Sequence, residues 1–249
     1  MNFFADVYTI WLREMIRTFR ARSRIISSLA MPIFWLVLIG VGFGSSFRLP
    51  NLDYLPFLAP GVIGMIILFN STSSGVSVIW DRQFGFLKEI LVAPVSRTSI
   101  VVGKMLGGAT VGTMTALIML ALSLAIGIIG LSLGILMSII FMVLTSLCFV
   151  SIGLIIASTM RSMEGFQLIM SFLIMPAYFL SGALFPLSNT PLWMQAISSA
   201  DPLTYGVDGI RGSLVNFRIY PIWLDFSVLM FFAFALIILG SYLFRKMSI

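Results

Sequence analysis

From Met105 to Met160 the chain runs 56 residues without a charged side chain. At ~1.5 Å per residue, one helix of that length would far overshoot the ~30 Å hydrocarbon core of a bilayer. The stretch must therefore fold back on itself, and Gly127, Gly130 and Gly134 near its middle mark a tight hairpin of two helices. The rest of the chain agrees: 59% of its 249 residues are hydrophobic, 10% are charged and the mean hydropathy is +1.09. Soluble domains carry roughly 25% charged residues, so the bilayer is the solvent in which this chain must be understood.

The expected fold is an all-α polytopic membrane protein. Six spans are expected at about 25–47, 57–80, 105–128, 134–160, 165–186 and 226–244, in one transmembrane domain covering 1–249. The run Ile25 to Phe47 has 23 residues, against ~7–15 for the apolar part of a signal peptide, and reads as a retained first span. Lys and Arg concentrate where an even number of spans puts the cytoplasm. Arg13, Arg17, Arg20, Arg22 and Arg24, then Arg82, Lys88, Arg97 and Lys104, then Arg161, and finally Arg245 and Lys246 fall inside; Arg48, Arg211 and Arg218 fall outside. This places both termini in the cytoplasm of a multi-pass protein of the cell membrane. It also explains the net charge of +6 by topology, with no nucleic-acid partner.

Several chemistries drop out. The chain has no histidine, and its one cysteine, Cys148, lies in an apolar run and reads as packing. Disulfide frameworks and histidine metal sites are excluded. Gly103-Lys104 is followed by Met105 and lacks the upstream glycine of a phosphate loop, so no nucleotide hydrolysis is assigned here. No catalytic residue, cofactor site or metal site is assigned either. Nine carboxylates are present and none falls in the middle of an expected span. Ion-coupled transporters place ionisable groups at membrane depth, so if the chain moves a solute uphill the energy is expected to enter elsewhere. The rival reading is a secondary transporter or channel not driven by ATP.

Two segments flanking the spans are amphipathic. Phe4, Tyr8, Trp11, Met15 and Phe19 recur every three or four positions with Arg13, Arg17 and Arg20 between them, as in an interfacial helix over 1–24. In the loop 81–104, Phe84, Leu87, Ile90 and Leu91 share a face, Arg82, Lys88 and Glu89 are polar, and Pro94 ends the helix. Such a helix either docks in a partner's groove or rests on lipid headgroups. Asn70, Ser74 and Ser77 form a stripe on the second span, and Ser171, Pro176, Tyr178 and Ser181 lie on the fifth. These polar groups suit either a pathway or interhelical hydrogen bonds. Gly40 and Gly44, Gly103 and Gly107, and Gly108 and Gly112 are small-xxx-small pairs, read as intramolecular packing. Between spans five and six, Thr190-Pro191 and Asp201-Pro202 read as helix starts. Asp208 and Arg211 are placed to pair, and Trp193, Tyr205, Tyr220 and Trp223 suit the headgroup level. This segment, 187–225, is either a lid on the outer exit or a surface anchor.

YLPFLAPGVIGM at 54–65, DRQFGFLKEILVAPVSR with the following VVGKML, and ADPLTYGVDGIRG at 200–212 occur in order and at family spacing. In these motifs the chain resembles the type-2 ATP-binding-cassette (ABC) exporter permeases, in particular the drug-resistance and nodulation-factor branch. The resemblance implies six spans, a second permease copy as a homodimer, two separate ABC ATPase subunits carrying ATP and Mg, and contact with membrane lipids. It implies a coupling helix with Arg82, Phe84, Gly85, Leu87, Lys88, Glu89 and Leu91 at the ATPase contact. Gly85-Phe86-Leu87-Lys88 stands where many relatives have a Gly-Thr-Leu-Glu type sequence, which moves the acidic group to Glu89. It further supports a pathway along Asn70, Ser74, Ser77, Ser171, Tyr178 and Ser181, and implies an interfacial connecting helix over 1–24 and short helices at 187–220 on the outer face, where a lid would carry Trp193, Asp201, Tyr205, Asp208 and Arg211. The expected cargo is amphipathic, lipid-like or drug-like.

Overall fold

The computed structural model describes residues 3–42, 44, 52–84, 95–160 and 162–246. Among them the regular structure is helical with no strands, and six helical stretches are long and apolar enough to cross a membrane. Helix α1 (Phe3–Arg20) leads into α2 (Arg22–Gly42), the first span. The second is α3 (Tyr54–Thr72) continued through a tight turn at Ser73–Gly75 into α4 (Val76–Gln83). Then come α5 (Arg97–Ala125) and α6 (Gly134–Thr159). The fifth span joins α7 (Met163–Ile169) to α8 (Met175–Leu180). Short helices α9 (Leu192–Ser199) and α10 (Pro202–Val215) precede the last span, α11 (Ile222–Lys246).

The uncharged stretch turns where its glycines allow. Gly127 takes φ +80°, a left-handed conformation open to a residue without Cβ. With it, the Ile128 N–H reaches the Ser123 carbonyl at 2.9 Å and the Gly127 N–H reaches that of Leu124 at 3.1 Å. This paired pattern satisfies the last carbonyls of α5 and sends the chain back as α6.

The second span is the centre of the bundle. Of its most apolar window 72% is buried within the chain, against 17% for α2, the fifth span and α11. Phe57, Ile63 and Ile67 of α3 pack with Val101 and Met119 of α5, Phe141 and Phe149 of α6, and Ile210 of α10. The peripheral spans present Phe34, Val37, Phe172, Leu173, Phe231 and Phe234 outward, the side chains that lipid solvates.

Backbone meets backbone where the second span crosses α6. A Cβ on Gly75 would strike the Gly153 carbonyl, and one on Gly153 would strike that of Thr72. Replacing Gly153 by Val should therefore lower stability by about 3 kcal/mol, the upper end of overpacking costs. Gly130→Ala, where an added Cβ meets nothing within 4 Å, should leave the thermal midpoint in detergent unchanged; equal midpoints for the two variants would refute the crossing.

The fifth span carries a local register slip. Pro176 has no N–H to return to the turn before it, and over Met170–Ile174 the helix widens so that the N–H of Met175 bonds the Met170 carbonyl. Such wide turns accompany proline in helices and bend them.

Candidate functional site

Helix α1 is held along α5 by its own pattern. Ile10 sits over Gly103 and Glu14 over Gly107, equal steps of four on both helices, so the two run alongside one another. The Trp11 indole N–H donates to Thr110 Oγ1 at 3.1 Å. The second glycine pair of α5 faces the other way: Gly108 meets Ser74 and Val150, and Gly112 meets Ser71 and Ser146. Both pairs serve packing within the chain, and α5 is the post on which α1, the second span and α6 are mounted.

This close approach brings charges together at the end of the bundle from which residues 85–94 depart. Lys104 is 3% exposed. Its ammonium donates to Asp81 Oδ2 at 2.7 Å, to Ser77 Oγ at 3.2 Å and to Glu14 Oε1 at 3.4 Å. Glu14 and Asp81 are also buried. Arg17 reaches Glu14 at 2.6 Å and Arg13 reaches Asp81 at 3.5 Å from the half-exposed outer side of α1. A buried ion is costly unless every charge is met, and here three donors of one ammonium meet two carboxylates and a hydroxyl. The cluster locks α1, α4 and α5 together at the two roots of the 85–94 segment.

Arg82 donates to the carbonyls of Met160 at 2.9 Å and Ser158 at 3.4 Å. A cation there satisfies the last carbonyls of α6 and complements its dipole. Phe84 ends α4, exposed, with its ring 6.0 Å from that of Trp80. Of the expected coupling residues, Gly85, Leu87, Lys88, Glu89 and Leu91 lie outside the described residues.

Adjoining clefts open beside the cluster. One is lined by Glu14, Arg17, Thr18, Ser28, Asn70 and Ser74. A second, of about 560 Å3, shares Arg17 and Thr18 and adds Ser77, Trp80 and Met163. A third, of about 310 Å3, shares Ser28 and Asn70, adds Ser27 and Ser73, and is mainly apolar, with Pro32, Trp35, Phe69 and Met175. Together they form a groove that runs from the end of α1 along α2 and the second span, with Arg17 and Thr18 at one end and Trp35 and Phe69 at the other. Asn70, Ser74 and Ser77 thus share the groove. Their partners differ: the Asn70 amide donates to Thr115 Oγ1 at 3.1 Å, and Ser77 accepts from Lys104. Ser171 is exposed on the fifth span, while Tyr178 and Ser181 are buried near its far end, and none of the three lines these clefts.

At the far end α10 is inserted in the bundle: Leu203, Val207, Ile210 and Leu214 are buried and Arg211 is 1% exposed. The Arg211 guanidinium donates to the carbonyls of Phe57 at 3.1 Å, Gly182 at 3.1 Å and Ala183 at 2.9 Å, and lies 3.8 Å from the Phe57 ring centroid. Burial pulls its pKa down to about 10 against the opposing pull of Asp208, so it stays a cation at neutral pH. Nearby, the Tyr54 hydroxyl donates to the Leu184 carbonyl at 2.9 Å, and the Ser198 hydroxyl contacts that of Leu180. The frayed end of the fifth span therefore has its free carbonyls satisfied from α3, α9 and α10.

Asp208 and Arg211 do not form the direct pair their spacing suggested. Asp208 turns to accept the N–H groups of Ile219 and Tyr220 at 2.8–2.9 Å, closing the loop after Asn216, which adopts φ 55°. Burial raises the Asp208 pKa, opposed by those N–H donors and more weakly by Arg211 and Arg218. Tyr205 is buried against Tyr220, with ring centroids 5.3 Å apart, whereas Trp193 and Trp223 are exposed. Thr190 does not cap α9: its hydroxyl bonds the Leu187 carbonyl, and the helix begins at Leu192 after Pro191.

Asp201 does cap α10, accepting the Leu203 N–H at 2.9 Å, with Pro202 in the first turn. Burial pushes its carboxyl up to about 7, opposed by that N–H. Between an unfolded value near 3.9 and about 7, the folded chain holds a proton that the unfolded chain has released. Stability should fall as pH rises through this window. Asp201→Asn keeps a cap acceptor and should flatten the fall; an unchanged thermal-midpoint slope against pH would overturn the assignment.

Sequence inspection missed Glu14, Asp81 and Lys104 as a unit. Their one signal was charge placed beside small residues, Gly103 and Gly107, on facing helices. Among the described residues the chain is an all-helical bundle with six stretches able to cross a membrane and a grooved flank. The ABC-2 type transporter family matches residues 5–215, and the chain belongs to that family. It is similar to nodulation protein J of Rhizobium leguminosarum bv. viciae, at 26% identity over 95% of this chain and 93% of that protein. The inner membrane transport permease YadH of Escherichia coli K12 is 25% identical over 91% and 90% of the two chains. The ycf38 protein of Cyanophora paradoxa is 28% identical over 98% and 89%.

Proposed function

We propose that this ABC-2 type permease is the membrane subunit of an ATP-driven exporter. Two copies pair with two ABC ATPase subunits, which carry ATP and Mg, and the chain itself performs no catalysis. Its termini and the 85–94 segment lie on the cytoplasmic side of the cell membrane. The observation that carries this reading is the buried Glu14–Lys104–Asp81 cluster, which binds both roots of the 85–94 segment to α1. A force applied to that segment by a partner then moves α1, α4 and α5 as one body.

The cargo is an amphipathic, lipid-like or drug-like molecule. Supporting this are the groove's polar end at Arg17, Thr18 and Asn70 and its apolar end at Trp35, Phe69 and Met175. Arg211 and the carbonyls it holds keep the far exit closed, and Trp193, Asp201, Tyr205 and Asp208 belong to the same lid. ATP shifts this equilibrium only by favouring the open arrangement differentially. The test is co-purification with candidate ABC ATPases and measurement of ATP turnover for wild type, Leu87→Arg and Glu89→Arg. Loss of binding or turnover is expected in both variants. Unaltered binding and turnover, or no ATPase bound by the wild type, would sink the coupling assignment.

A further inference from the structure

The outward flank of α1 faces a groove unrelated to the clefts above. It measures about 650 Å3 and is floored by Trp11, Leu12, Ile16 and Phe19 of α1 and Met114 of α5, with Arg20 at one end. From Trp11 to Arg20 it runs roughly 14 Å at ~1.5 Å per residue. Thr110 also lines it, yet its hydroxyl is already engaged, donating to the Leu106 carbonyl at 2.7 Å and accepting from Trp11. The groove is therefore apolar along its length and cationic at its end.

The charge at that end is free in a way its neighbours are not. Arg13 and Arg17 are bound to buried Asp81 and Glu14. Arg20 is exposed, and its guanidinium has no side-chain or carbonyl partner among the described residues. An arginine fork matches a phosphate bidentately, and basic residues next to a span attract anionic lipid.

We propose that this groove is a binding site for one anionic phospholipid, its phosphate on Arg20 and an acyl chain along Trp11, Leu12, Ile16 and Met114. Protein contacts hold the inner flank of α1 through Ile10 and Glu14, and the lipid covers the outer flank. The bound lipid thereby steadies the helix that presents Glu14 to Lys104. The site does not depend on ATP coupling or on the cargo.

The experiment uses the full chain purified in detergent, titrated with phosphatidylglycerol or phosphatidylcholine, with bound lipid counted by native mass spectrometry. Phosphatidylglycerol should be preferred by about fivefold, the factor one arginine contributes at an anionic surface, and added salt should reduce the preference. Arg20→Gln should abolish the preference and Arg20→Lys should keep most of it. Met114→Trp, which fills the floor, should weaken both lipids. Thermal midpoints of the variants confirm that each is folded. Equal affinity for the two lipids, or an unchanged preference in Arg20→Gln, would overturn the site. So would displacement of phosphatidylglycerol by inorganic phosphate alone, which would make it a phosphate site. A dimer disrupted by Met114→Trp with lipid binding intact would assign the groove to a second copy instead.

Discussion

Lys104→Met should lower the stability of the purified chain by about 3–5 kcal/mol, the cost of stranding a buried charge whose partner is removed. The ammonium is nearly out of contact with solvent and is the common partner of Glu14 and Asp81. Methionine fills its volume but leaves two carboxylates facing each other in the seam of α1, α4 and α5. Replacing the whole set, as Glu14→Gln, Asp81→Asn and Lys104→Met together, removes the stranded charges and should recover most of the loss, since buried ion sets are often replaced by neutral groups at little cost. Arg13 and Arg17 then face solvent, where their side chains are already 46% and 43% exposed. Thermal unfolding in detergent checks both steps. A triple variant no more stable than the single one would mean the three residues do not act as a unit. Under the exporter reading the triple variant should be folded yet poorly coupled, hydrolysing ATP with its partner while moving less cargo.

The second large effect is expected at Arg211. Arg211→Met removes three donated hydrogen bonds and a cation lying over Phe57. Hydrogen bonds from charged groups contribute about 1.5–3 kcal/mol each, and sharing among neighbours makes a net loss of about 4 kcal/mol the expected value. Arg211→Lys should recover little, because a point ammonium cannot span carbonyls on both the second and fifth spans. The loss should be local as well as global. Hydrogen exchange should accelerate first around Gly182 and Ala183, whose carbonyls lose their anchor, and cysteine accessibility near Ser181 should rise. Unchanged exchange there would show that Arg211 does not hold the end of the fifth span.

Much of the fold could be read from residue order. The six apolar stretches followed from hydropathy and length, and the hairpin in the uncharged run followed from its glycines, of which Gly127 makes the turn. The helical period of α1 was visible, but the residues it turns to α5 are Ile10, Trp11 and Glu14, while Phe4, Tyr8 and Phe19 are exposed; the glycine pairs of α5 announced close packing. Helix ends were less legible than apolar stretches: the helix that carries the second span runs from Tyr54 to Gln83, past the apolar 57–80. A helix whose end is satisfied by Asp81 and Arg82 contacts need not stop where hydropathy falls.

The segment 187–225 shows the other limit. PLTYGVDGIRGSLV carries an acid, a base and three glycines, and by composition it belongs at a surface. It is nonetheless buried, because Arg211 and Asp208 find backbone partners 154 and 11 positions away at Phe57 and Ile219, and Gly206 and Gly209 pass closely by Thr145 and Phe141.

The 56 uncharged residues and the sparse charges around them were enough to determine that this chain lives in a bilayer, how often it crosses and roughly where it turns. Hydrophobic transfer and backbone satisfaction are local properties, summed along the chain. Which charges meet is not local. Lys104 stands 90 residues from Glu14 and 23 from Asp81, and only the packing of α1 on Gly103 and Gly107 brings the three within hydrogen-bonding reach. The tertiary structure decided the ion cluster, the inserted α10 and the groove beside Arg20, because each depends on distances that no periodicity encodes.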